Sequence, residues 1–199
     1  MNSRQLWAKK LAASLDQGPH GRGKVSAVRR KAEVSLPVFR GLALGIDPSV
    51  RGTGLAVIDC AAPVFGLVET LTVSVPAKFN FLYCLGRIHE EVTRLLNKYV
   101  IGRVGVEETI YVQNFRTMQL LGCARGAALG PIAAAGIPIV EMSPKTVKML
   151  VALNGSATKE AVQRMVSMIL HCQPLPLDES DAAAAAIASS YGQKLLKAA

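Results

Sequence analysis

Two apolar runs, Gly41–Asp47 (GLALGID) and Thr53–Cys60 (TGLAVIDC), are separated only by PSVRG. No helix fits into so short a joint, so the runs are expected to pair as an antiparallel hairpin closed by a tight turn. The first run ends in Asp47, and the same ending recurs in Gly102–Glu107 (GRVGVE). Strand-length apolar segments that terminate in a carboxylate place acids at one end of a sheet.

The rest of the chain alternates. Phe65–Val75 is expected to be a third strand. Leu82, Leu85, Ile88, Val92, Leu95 and Leu96 mark one face of a helix, and Gly102–Glu107 follows as the fourth strand. Gln119–Ala135 is apolar and rich in small residues, a pattern that suits close packing on its own sheet or against a second copy. Ile137–Glu141 is expected to be the fifth strand. Helices over Pro144–Leu153 and Lys159–Leu170 flank a GSATK loop, and an alanine-rich helix over Asp178–Leu196 closes the chain. The pattern implies an α/β fold, a mixed five-stranded sheet flanked by helices.

The chain has 199 residues and a formal net charge of +9. Residues 1–40 hold nine Lys/Arg against two acids, whereas the remainder is almost balanced. We read 1–38 as a basic N-terminal extension suited to phosphates or to no fixed structure, and 39–199 as one domain. Mean hydropathy is +0.30, yet no apolar stretch is long enough to imply a membrane span. Cys60, Cys84, Cys123 and Cys172 are scattered, which suits buried thiols of a reducing cytoplasm rather than a disulfide frame or zinc site.

The acids carry the chemistry. Asp47 and Glu107 close strands, and Asp178 and Asp181 lie three apart at the start of the last helix, hence on one face. Glu108 stands next to Glu107, and adjacent strand residues point to opposite sides, so only one of them can join Asp47; periodicity leaves that choice open. Taken singly, Asp47 before Pro48 could open a turn and Asp178 could be an N-cap. Taken together, four carboxylates repel one another unless cations neutralise them. Carboxylates select hard ions such as Mg²⁺ or Mn²⁺, and a pair of such ions can hydrolyse a phosphodiester.

The ordered segments LALGIDPSVRGTGLAVID, VGVEETIY, QLLGCARGAALGPIAAAGIPIVEMSPKTVK, GSATKEAVQRMV and DESDAAAAAIA resemble the RuvC crossover-junction endonucleases over about residues 41–190. The resemblance implies an RNase H-like fold and a homodimer that cuts a four-way (Holliday) DNA junction symmetrically. It further implies work in recombination and repair alongside the branch-migration proteins RuvA and RuvB. Asp47, Glu107, Asp178 and Asp181 match the family's metal ligands, with Mg²⁺ as the expected ion, two per site, and Mn²⁺ as a substitute. Lys148 and Lys159 match positions that contact the junction, and Ile110, Tyr111, Asn114 and Phe115 surround the second acid as DNA-contacting candidates. Two residues depart from the pattern. Ser49 stands where a glycine is usual, and Ile110 where an aromatic ring commonly stacks on a base, leaving Tyr111 or Phe115 to take that part. Two alternatives stay open at this point: a catalytically weak junction-binding protein, and another RNase H-like nuclease.

Overall fold

The computed structural model describes residues 39–61, 64–108 and 114–191. Strands β1 (Leu42–Asp47) and β2 (Gly52–Asp59) form the expected antiparallel hairpin, with Asp47 opposite Gly54. β3 (Gly66–Ser74) pairs antiparallel with β2 across one irregularity at Val57/Ile58. β4 (Ile101–Glu107) lies parallel to β1, and β5 (Ile139–Met142) parallel to β4, giving the order β3-β2-β1-β4-β5. The five-stranded mixed sheet is flanked by five helices among the described residues: α1 (Phe81–Lys98), α2 (Phe115–Ala134), α3 (Pro144–Ala152), α4 (Lys159–Leu170) and α5 (Leu177–Ser189).

Strand alternation sorts the apolar residues into two cores. Leu44 and Ile46 of β1, Leu55 and Val57 of β2, and Val104 and Val106 of β4 face α1 and α2, meeting Ile88, Val92, Ala124 and Ile132. Ala43, Ala56 and Ile58 face the other way, onto α3, α4 and α5. The alanine-rich α5 is buried all round from Ala182 to Ser189. A helix so covered has no polar side to spare, and alanine lets it approach the sheet closely.

Several boundaries move, each for a local reason. α2 begins four residues earlier than the apolar run suggested, because Asn114 accepts a hydrogen bond from Thr117 N at 3.1 Å and caps it. β5 is Ile139–Met142 rather than 137–141, since pairing with β4 begins only at Val104–Ile139. α3 stops at Ala152, where Leu153 turns left-handed (φ 58°). α5 ends at Ser189 rather than at 196, with Ser190 as its cap. Asp178 is not the N-cap of α5; Pro176 holds that place, and Asp178 sits inside the first turn. Ser49 needs no left-handed backbone, since the only non-glycine residues with positive φ among those described are Leu153 and His171. Its N–H donates to Thr53 Oγ1 at 3.1 Å while the Thr53 hydroxyl donates back to Ser49 O, which closes the turn without glycine. The four cysteines form no disulfide; Cys60 and Cys84 are buried as expected, but Cys123 is exposed.

Candidate active site

The site is built by the close seating of α5 on three glycines. A Cβ on Gly45 of β1 would overlap Ala182 O, one on Gly54 of β2 would overlap Asp178 O, and one on Gly105 of β4 would overlap Ala185 O. Only glycine lets the helix backbone lie this near the strands. Asp47 follows Gly45 by two residues and Glu107 follows Gly105 by two, so both acids point to the α5 side. Glu108, one residue on, is exposed and off that side. The repeated Gly-x-acid spacing in β1 and β4 puts Glu107, and not Glu108, on the glycine side once α5 covers that face.

α5 delivers the other two acids. Asp178 Oδ2 lies 3.0 Å from where a Cβ of Gly52 would stand, at the start of β2. Asp181, one turn on, accepts a hydrogen bond from Lys159 Nζ at 2.7 Å. The Asp181 side chain is 18% exposed and that of Lys159 60%, so the pair opens to solvent on the lysine side.

Electrostatics show how crowded the group is. Burial pushes the Asp47 carboxyl up to about 6, with repulsion from Asp181 and Asp178 adding to it and Lys159 opposing. Glu107 rises to about 7, first from burial and then from the charges of Asp47 and Asp181; Lys159 and Lys148 pull it back. The hydrogen bond to Asp181 raises Lys159 above its ordinary value, so it stays protonated at neutral pH. All four carboxylates and both lysines singled out in the sequence thus act on one another at the same sheet end. Asn114 and Phe115 stand at the start of α2, with Asn114 occupied as its cap and Phe115 66% exposed. Ile110 and Tyr111 lie outside the described residues.

One positioning residue stands out only in three dimensions. Arg125 of α2 donates from Nη1 to the main-chain carbonyl of Glu107 at 2.6 Å, and its Nη2 lies 3.1 Å from Glu141 Oε2 of β5. Its side chain is nearly buried, so it ties the ends of β4 and β5 together directly behind the acid. In sequence it appears only as the arginine of LGCARG, distant from every carboxylate.

The donor set is wholly oxygen, which suits a hard divalent cation. As they stand, no three His, Cys, Asp or Glu side chains among the described residues close tightly enough on one point to hold an ion. A shallow groove along the outer face of α1, lined by His89, Thr93, Arg94 and Asn97, carries none of this chemistry.

The description "Crossover junction endodeoxyribonuclease RuvC" matches residues 43–189. The chain belongs to the RuvC family. The RuvC protein of Syntrophomonas wolfei is 38% identical over 154 residues, covering 76% of this chain and 90% of its own. That of Hyphomonas neptunium is 35% identical over 149 residues, covering 74% and 89%. Among solved structures, Thermus thermophilus RuvC in complex with a Holliday junction superposes with a TM-score of 0.71 at 30% identity, covering 76% of this chain and 94% of that one. The family match spans β1 to α5, hence every element that brings an acid to the RuvC-like site.

Proposed function

We propose that this chain is a Mg²⁺-dependent endonuclease that resolves four-way DNA junctions, acting as a homodimer on the two opposed strands. The observation that supports this most is the convergence of Asp47, Glu107, Asp178 and Asp181 at one sheet end beside Lys159. The relatives named as crossover junction endodeoxyribonucleases, and the T. thermophilus protein crystallised with a Holliday junction, favour junction DNA as the substrate. Mn²⁺ is an expected substitute metal, RuvA and RuvB the expected partners, and the cytoplasm the expected compartment. No described helix is long and apolar enough to cross a membrane.

The four carboxylates would hold the metal, which would supply Lewis acidity and a lowered pKa for water. The chain's own residues do the rest. Asp47 and Glu107, pushed up by burial and by the neighbouring acids, are the carboxylates whose charge a cation would offset most directly. Lys159 holds Asp181 in place and presents a permanent positive charge at the open side, where a phosphate would approach. Lys148 adds a second positive charge toward Glu107. Arg125 fixes the direction from which Glu107 enters by fixing its carbonyl. Side-by-side incubation with a synthetic four-way junction, an RNA–DNA hybrid and a linear duplex in Mg²⁺ tests the reading. Paired nicks across the junction that vanish in Asp181→Asn are expected; preferential cutting of the hybrid or duplex would overturn it.

A further inference from the structure

The carboxylate end of the sheet carries a second arrangement on its opposite face. Arg51 precedes Gly52, the residue that stands against Asp178, so it is one position from the acids. Its side chain runs from the turn to the loop between β3 and α1. There its guanidinium donates to Pro76 O at 2.9 Å and Phe79 O at 3.0 Å, with a longer bond to Val75 O. These bonds hold the loop between β3 and α1 in one shape.

The shaped loop presents two rings and a cation. Phe79 stacks on Tyr83 with centroids 4.2 Å apart and planes 14° from parallel, and Lys78 Nζ lies 5.2 Å from the Phe79 ring centre. Tyr83 is 44% exposed, and Leu82 beside it 74%. Asn80 caps α1 through Tyr83 N at 2.9 Å, so the second ring is fixed by the helix as well as by the stack. Residues 75–86 contain no acid, and Arg51 spends its hydrogen bonds on carbonyls, which leave its charge uncompensated.

We propose that Lys78, Phe79 and Tyr83 form a nucleic-acid contact platform. A DNA strand leaving the carboxylates lays a phosphate against Lys78 and a splayed base against the exposed Tyr83 ring. The inference rests on the nuclease reading above. Nucleic acid is the occupant because an aromatic surface with cations and no acid matches bases joined by phosphates, and because one arginine side chain separates the platform from Gly52. The rings are already fixed, so binding costs little ordering of the protein.

The test measures binding of a fluorescein-labelled synthetic four-way junction to the full chain in EDTA, where affinity is read without cleavage. Tyr83→Ala removes the ring on which a base would stack and is expected to weaken Kd by roughly tenfold, while Tyr83→Phe binds as the parent does. Lys78→Ala is expected to reduce the slope of log Kd against log salt by about one. Thermal melting of each variant separates these effects from loss of fold. A parent that cuts junctions, with both folded variants unchanged in Kd and salt slope, overturns the platform alone. A parent that neither binds nor cuts the junction overturns the nuclease reading and the platform with it. Dissociation of a dimer by Tyr83→Ala, with junction affinity per subunit unchanged, makes the face a subunit contact and also overturns the proposal.

Discussion

Glu69 of β3 and Asp47 of β1 are acids of one sheet with β2 between them, yet their surroundings are opposite. Glu69 of β3 meets Lys98 Nζ at 2.7 Å, Tyr99 Oη at 2.7 Å and Arg94 Nη2 at 2.7 Å. Those hydrogen bonds, Lys98 first, hold its carboxyl at about 2. Asp47 is half-buried among other acids with one lysine nearby, and burial with those charges pushes its carboxyl up to about 6. One charge has more partners than it needs; the other has too few. Glu69 fastens β3 to the end of α1, whereas Asp47 and Glu107 are held in a strained electrostatic state that a divalent cation would relieve.

The sharpest way to break the comparison is to neutralise each side. Asp47→Asn is expected to reduce junction cleavage by on the order of a thousandfold. The same change should raise the melting temperature of the metal-free protein, by on the order of 5 °C, because a buried charge is removed. A variant that loses both activity and stability would show that Asp47 is structural. Arg125→Gln ranks next. Without the charge-assisted bond to Glu107 O, cleavage should fall by roughly 10–100-fold, with kcat affected more than KM. Arg125→Lys should restore only part of it, because an ammonium cannot bridge Glu107 O and Glu141 together; equal loss in kcat and in melting temperature alone would sink the positioning role.

Acidity sharpens the contrast further. Asp47 and Glu107 have folded values raised above their ordinary 3.8 and 4.5. Their destabilisation is complete above about pH 7 and absent below about pH 4, so metal-free protein should melt higher as pH falls through that window. Glu69 has a lowered value, so its contribution is complete above pH 4.5 and is lost as pH falls toward 2. Melting temperature without metal should therefore peak near pH 4–5, and saturating Mg²⁺ at pH 7.5 should remove most of the gain seen on acidification. The smallest effect belongs to Glu69→Gln, expected to lower the melting temperature by about 2–4 °C and to leave cleavage intact. Reduced cleavage at unchanged stability would tie this network to the site after all.

Much of this was legible in the chain. The hairpin followed from PSVRG, the four acids from their place at strand ends and in DESD, and Lys159 from the family resemblance. Arg125 was not legible as a partner of Glu107, because a helix and a strand eighteen residues apart meet only through packing. Asn114, expected as a DNA contact, also caps α2 through its side-chain oxygen, a part that the apolar run beginning at Gln119 does not show. Nor does local pattern show that Lys78, Phe79 and Tyr83 share a face, since Arg51 shapes that loop from twenty-five or more residues away.

By itself the sequence determined which segments are strands and helices and which ends carry acids, because apolar period and turn chemistry are local quantities. Which side of each strand those acids occupy was decided by tertiary structure. Period two assigns Glu107 and Glu108 to opposite faces without saying which face α5 covers. The answer comes from backbone contact at Gly45, Gly54 and Gly105, where a side chain would overlap the helix. That contact carries Asp178 and Asp181 to Asp47 and Glu107, and it exists only once residues 80 to 137 positions apart have packed.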